Sequence, residues 1–168
     1  MDSAHDVLLQ VLKNHFEWAN SSGAVLDLGC GNGVLLDKIC SEYEGLIPHG
    51  VEVEKDRFFS AYSLLSDTGE IAMGSISNLD LWSEDKYDLV VLMPRRIEEL
   101  GSEGIGVREK LLQVTDTFLL YGYGDDITKD GGLDNLNKHL DLPVDEWKFL
   151  EVIKTDAASA LLAVRKKS

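Results

Sequence analysis

Apolar positions along this chain switch repeatedly between helical and strand spacing. Val7, Leu8, Val11, Leu12 and Phe16 recur at helical intervals, which predicts an amphipathic helix over 3–19, closed by Asn20-Ser21-Ser22-Gly23. Ala24 to Leu28 is a short apolar run suited to a buried strand. Gly29 to Gly33 reads as a turn, after which Val34, Leu35, Ile39 and Tyr43 resume helical spacing. Ile47 to Val53 predicts a second strand. Asp56 to Leu65 predicts a second core helix, with Phe58, Phe59, Tyr62 and Leu65 on its apolar side. Glu70 to Met73 is a third strand. Tyr87 to Met93, almost wholly apolar and stopped by Pro94, is a fourth. A helix after Asp80 is only faintly marked. Further on, Gly101, Gly104 and Gly106 indicate a loop and Arg108 to Val114 a short helix. Thr117 to Tyr123 is a fifth strand, Leu133 to Leu142 a helix, and Trp147 to Ile153 and Ala160 to Arg165 the last two strands.

Strands that alternate with helical segments predict a parallel sheet covered on both faces. The last two strands are the exception, because the segment between them is too short for a parallel crossover, which needs about a dozen residues. They should pair as an antiparallel hairpin. The expected architecture is therefore α/β: a doubly wound, mostly parallel seven-stranded sheet ending in a C-terminal antiparallel hairpin. Ligands of such sheets bind beyond the carboxyl ends of the strands, near the switch in strand order.

Composition narrows this picture. The chain of 168 residues is expected to form one domain over 1–168, with 1–22 as an N-terminal helix able to cover a site. No apolar run approaches the roughly 20 residues that span a bilayer. Met1 to Asn20 mixes acids into an amphipathic pattern, so no signal peptide and a cytoplasmic location are expected. Cys30 and Cys40 are too few for a disulfide framework or zinc site and read as reduced structural thiols. The histidines His5, His15, His49 and His139 form no spaced metal pair, so no metal is expected. A formal net charge of −14 disfavours nucleic acid as a partner, since its non-specific affinity comes from basic residues.

The chemistry concentrates at Asp27-Leu28-Gly29-Cys30-Gly31-Asn32-Gly33. Glycines between an apolar strand and a helix allow unusual backbone angles and close approach of a ligand. The helix amino terminus adds free N–H groups for a carboxylate or phosphate. A dinucleotide fingerprint, G-x-G-x-x-G, would need glycine where Val34 stands, and no P-loop lysine follows. The spacing is instead G-x-G-x-G, preceded by an acid.

Val25 to Gly33 resembles, nearly residue for residue, the first motif of the class I S-adenosylmethionine-dependent methyltransferases. The resemblance continues into Gly50-Val51-Glu52-Val53-Glu54 and Tyr87 to Met93, and covers about Ala24 to Met93. It implies S-adenosylmethionine as cofactor, with S-adenosylhomocysteine as product. The glycine loop (Asp27, Gly29, Cys30, Gly31, Asn32, Gly33) would lie against the methionine part. Glu52 would grip the ribose hydroxyls next to Val53, with Glu54 the alternative by a shift of two residues. Met93 would end the strand that passes beside the cofactor. In the third motif the family ends a strand with an acid facing the adenine amine; here Ser75 stands in its place. Its oxygen can accept from the amine while Ile76 packs on the ring.

Methyl transfer from a sulfonium is an in-line displacement in which positioning does much of the work, so no obvious catalytic residue is required. The acceptor is read as a small molecule or a peptide-like group. Asn-Pro-Pro-Tyr or Asp-Pro-Pro-Tyr, which family members acting on adenine in nucleic acid resemble after the fourth strand, is missing; Met93-Pro94-Arg95-Arg96 is there instead. Arg95 and Arg96 either bind an anionic acceptor or counter Glu98 and Glu99 at the surface. Tyr121 and Tyr123 could orient an acceptor or simply pack, and His15 and Trp18 could act as a lid. The short chain suggests an acceptor pocket that is shallow, shaped for part of a larger molecule, or completed by a homo-oligomer or partner subunit. Two other functions stay open: an inactive cofactor-binding partner subunit, and a nucleotide-dependent oxidoreductase, the latter opposed by Val34.

Overall fold

The computed structural model describes residues 3–16, 23–122 and 136–168. In chain order the elements are α1 (Ser3–His15), β1 (Gly23–Leu28), α2 (Val34–Glu42), β2 (Leu46–Glu52), α3 (Lys55–Leu65) and β3 (Glu70–Met73). They continue with a 3-10 turn (Leu79–Leu81), β4 (Leu89–Leu92), α4 (Arg95–Glu99), α5 (Glu103–Val114), β5 (Thr117–Gly122), β6 (Trp147–Lys154) and β7 (Ser159–Arg165). The strands form a seven-stranded sheet in the order β3-β2-β1-β4-β5-β7-β6. β1 to β5 run parallel, and β7 pairs antiparallel with both β5 and β6. The C-terminal hairpin follows the short connection that the sequence predicts.

β4 sits between β1 and β5, and all of Leu89, Val90, Val91 and Leu92 are fully buried. A central parallel strand is covered on both faces, which explains its unbroken apolar run. Alternate residues point to opposite layers. Leu26, Leu28, Val90, Leu92, Phe118 and Leu120 pack with Ile97 of α4 and with Val107 and Leu111 of α5. Val25, Leu89, Val91 and Leu119 pack with Leu8 and Leu12 of α1, Leu36 and Ile39 of α2, and Ala61 and Leu65 of α3.

Strand order reverses between β1 and β4. The chain reaches the sheet edge at β3 and must return across β1 to lay down β4. It does so through the 3-10 turn, with Trp82 and Tyr87 buried beneath the crossover; the helix expected after Asp80 does not form, and this single turn around Asp80 stands in its place. Tyr87, expected to begin the fourth strand, makes only an isolated bridge to Thr115. Gly104 and Gly106, expected in a loop, lie inside α5, whereas Gly101 does turn the chain with φ 58°. A Cβ on Gly104 would lie 2.5 Å from the carbonyl oxygen of Ile97, so glycine there lets α5 press against α4. Of the helices expected at 3–19 and Leu133–Leu142, residues 17–19 and 133–135 lie outside the described residues. From Leu136 the second gives way to turns that bury Leu140 and Leu142.

Candidate active site at the switch point

The site lies where β1 and β2 end and the strand order reverses. Gly29 and Cys30 both donate backbone N–H groups to the carbonyl of Val51, at 2.8 and 3.1 Å, which bends the loop toward β2. Gly29 and Gly31 have φ of 83° and 59°, in the left-handed region where a side chain is strained. A Cβ on either would meet nothing within 4 Å, so both glycines face open space. Gly33 differs. A Cβ there would lie 3.1 Å from Cα of Ala61 and from Leu65, so this glycine lets α2 approach α3.

Glu52, the last residue of β2, is 5% exposed. Its Oε2 accepts from the Gly31 N–H at 2.7 Å and its Oε1 from the Glu54 N–H at 2.8 Å. The carboxylate thus fixes the glycine loop to the end of β2, and each oxygen keeps a further lone pair for a ligand. Glu54 has a different task. It caps α3, accepting from the backbone N–H groups of Asp56 and Arg57 at 3.1 Å each.

Asp27 is 1% exposed below the loop, and its buried Oδ1 has no hydrogen-bond partner among the described residues. Burial, and secondarily the negative charge of Glu52, push its carboxyl up to about 7. The thiol of Cys30 is pushed up out of the physiological range by burial, then by Asp27 and Glu52, so it stays protonated.

Two adjoining lobes open over these groups. The first, about 270 Å³, is lined by Glu52, Val53, Ser75, Ile76 and Leu100, among others. The second, about 490 Å³, is lined by Asp27, Cys30, Gly31, Asn32, Met93 and Tyr121, with His5 from the first turns of α1. Gly29, Arg57 and Arg96 line both lobes and so mark the waist between them. Of the residues singled out in the sequence, Gly33 and Arg95 line neither lobe.

Arg96 donates to Oε2 of Glu99 at 2.9 Å, and Nε of Arg95 lies 3.5 Å from the other oxygen of that carboxylate. The sequence reading missed Arg57, Leu100 and His5 as cleft residues, whereas Glu99 takes the counter-charge role that it allowed. Arg57 has a faint signal, as it follows Glu54, the cap of α3, by one helical turn. Leu100 has none, because only the packing of α4 brings it to the cleft. His15, expected in a lid, pairs instead with Glu151 of β6 at 3.0 Å. Trp18 and Tyr123 lie outside the described residues. Among the described residues no cluster of His, Cys, Asp or Glu is arranged to hold a metal ion, and no helix is long and apolar enough to cross a membrane.

No curated protein matches this chain. Solved structures do. A TehB-like S-adenosylmethionine-dependent methyltransferase from Corynebacterium glutamicum superposes with a TM-score of 0.62 at 14% identity, covering 96% of this chain and 87% of its own. Magnesium protoporphyrin IX methyltransferase from Synechocystis, with S-adenosylhomocysteine bound, gives 0.63 at 16% identity over 96% and 81%. The ribosomal protein L11 methylase of Lactobacillus delbrueckii subsp. bulgaricus gives 0.67 at 14% identity over 98% and 80%. At these identities the likeness establishes the fold. The sequence profile of the methyltransferase small domain family matches residues 1–120, which contain the glycine loop, Glu52, Ser75 and both arginines of the waist. The chain belongs to that family, whose members are Rossmann-like class I methyltransferases using S-adenosylmethionine.

Proposed function

We propose that this chain moves a methyl group from S-adenosylmethionine to an anionic small-molecule or peptide-like acceptor in the cytoplasm. The observation that carries the proposal is the two-lobed cleft with different chemistry at its ends. Several features fit the cofactor. The space over Gly29 and Gly31 is a cradle that any side chain would fill. The unpartnered Oδ1 of Asp27 beside it suits the ammonium of an amino-acid group. The free lone pairs of Glu52 suit ribose hydroxyls, and Val53, Ile76 and Leu100 offer apolar walls for a base. When bound, the cofactor supplies an electrophilic methyl on a positively charged sulfur.

The residues of the chain then orient and hold. Arg57 comes from α3 on one wall and Arg96 from α4 on the other. Both are half-exposed and, among the described residues, are tied to carboxylates on their own helices or caps, Glu54 at 3.7 Å and Glu99 at 2.9 Å. Exposed pairs of this kind are worth about 0–1 kcal/mol, so an anion entering the waist can draw either guanidinium away. His5 and Tyr121 line the larger lobe and are placed to orient the acceptor or to take its proton where it carries one. An arginine pair at the waist supports an acceptor bearing carboxylate or phosphate.

Calorimetry with S-adenosylmethionine, S-adenosylhomocysteine and NAD tests the cofactor. Binding of both sulfur ligands and not of NAD is the expected result, and binding of NAD alone would overturn the proposal. Transfer from labelled S-adenosylmethionine to a panel of carboxylate- and phosphate-bearing small molecules and peptides tests the acceptor. With the substrate so found, Arg57→Ala and Arg96→Ala should raise KM roughly tenfold, since a charge-assisted contact is worth about 1.5–3 kcal/mol. Arg95→Ala should leave KM near wild type. Equal effects of all three, or of none, would remove the anion site. Tight cofactor binding without transfer to any of the panel would favour an inactive partner subunit.

A further inference from the structure

β6 is the outermost strand at the hairpin end of the sheet, and its pairing with β7 slips between Phe149 and Glu151. Phe149 stands opposite Ala163 and Glu151 opposite Leu162, so Leu150 is the extra residue of a β-bulge. The slip changes which side of the sheet the later residues face. Before it, Trp147 and Phe149 pack in the layer of α4 and α5. After it, Ile153 packs in the layer of α1, and Glu151, opposite Leu162 of that same layer, faces the same way. An unbroken ladder would have put Glu151 with Trp147 and Phe149.

The turned carboxylate meets the last turn of α1. Asn14 Nδ2 donates to it, 3.3 Å from either oxygen, and His15 Nε2 lies 3.0 Å from Oε2. Gln10 donates in turn to Asn14 Oδ1 at 2.7 Å. Ala4, Leu8, Val11 and Leu12 of α1 are buried. Their apolar attraction is non-directional and fixes which face of α1 meets the sheet; hydrogen bonds are directional and also set its rotation and its position along its axis. The Lys13–Glu42 pair at 3.1 Å is half-exposed and adds little. At the other end of the same helix, His5 lines the larger lobe beside Asp27, Gly31 and Met93. His5 and Asn14 are separated by about 14 Å along the helix axis.

We infer that Glu151 is a positioning residue of the cleft: by fixing the last turn of α1 it holds His5 at the wall of the larger lobe. The inference rests on reading that cleft as the site of methyl transfer, and adds to it a residue remote from the chemistry. A bulge and an inward-facing acid on an edge strand also discourage pairing with another sheet. That role alone would leave His5 untouched, so the two are separable.

Histidine-selective NMR of the ligand-free protein reads the placement. Glu151→Ala should shift the ring signals of His5 together with those of His15, and leave in place those of His49 and His139, whose acidic neighbours lie outside α1 and β6. Glu151→Gln keeps an acceptor oxygen for Asn14 and should leave the His5 signals where the wild type has them. A shift of His15 without His5 in Glu151→Ala would overturn the inference. If Glu151→Ala does not fold, Asn14→Ala removes the same bond from the helix side, and the same two outcomes decide. A double-mutant cycle reads the consequence. Glu151→Ala should lower kcat/KM for methyl transfer at least about fivefold in the wild type and less than about twofold in His5→Ala, because a residue that acts through His5 cannot add to its loss, whereas distant independent sites do add. Equal factors in the two backgrounds would overturn the inference. Folded wild type that transfers no methyl group is a distinct result: it would overturn the transfer reading, and the NMR shifts would still decide the placement.

Discussion

Asp27 combines near-complete burial with an unpartnered oxygen, in direct electrostatic contact with Glu52. In the unfolded chain its carboxyl titrates near 3.8; in the fold it titrates near 7. Below pH 4 both states hold the proton, and Asp27 does not bias folding. Between these values the unfolded chain releases its proton first, so stability falls as pH rises, and the full penalty stands above pH 7. Asp27→Asn should therefore raise Tm at pH 8 by about 5 °C, with the gain vanishing toward pH 4, as read by scanning calorimetry. The same substitution should weaken S-adenosylmethionine binding, which is the usual trade of stability against function at a charged site. A gain in Tm that does not change with pH would remove the assigned cause. The acid before the first glycine was legible in the sequence. That it is buried and strained electrostatically was not, because burial depends on β2 and on the loop folding over it.

α5 shows how an element can hide from a sequence reading. Its glycines suggested a loop, yet Gly104 and Gly106 both take helical backbone, because Val107, Leu111 and Val114 bury one face of α5. Packing overrode local propensity. The two glycines should respond oppositely to substitution. Gly106→Ala meets open space on an exposed turn and should stabilise the protein by about 0.5–1 kcal/mol. Gly104→Ala drives a methyl against the Ile97 carbonyl and should destabilise it by about 1–3 kcal/mol. Urea unfolding of both variants checks the pair, and the same sign for both would sink the packing argument. α4, which follows Pro94, was not foreseen at all. It is too short to show periodicity, yet it delivers Arg96, Glu99 and Leu100 to the cleft. Arg95, one residue away on that helix, lines neither lobe.

Both faces of the sheet carry a continuous core, and the terminal hairpin is part of it. Trp147 at the start of β6 packs on Phe118 of β5 with ring centroids 5.3 Å apart, in the same cluster as Trp82 under the β3–β4 crossover. Elements distant in sequence thus share one apolar layer. Thermal unfolding followed by near-UV and far-UV circular dichroism should give coincident transitions, as expected of a single cooperative domain. S-adenosylhomocysteine at about 100 times its Kd should shift both together, by about 5–10 °C. Separate transitions would show that the hairpin and the cofactor half fold as independent units.

The sequence by itself determined the class of fold, the position of the glycine loop and the antiparallel end of the sheet. These follow from local rules: apolar period, turn chemistry, and the length of chain a parallel crossover requires. Only the tertiary structure decided how the motif residues divide. Gly29 and Gly31 face open space while Gly33 serves helix packing; Glu52 braces the loop while Glu54 caps a helix. Arg57 and Arg96, nearly forty positions apart, meet at one waist, whereas Arg95 stays outside it. Adjacent residues on a helix point in different directions, and residues from different strands converge at a switch point. Which side chains share a cleft is therefore set by three-dimensional packing and not by spacing along the chain.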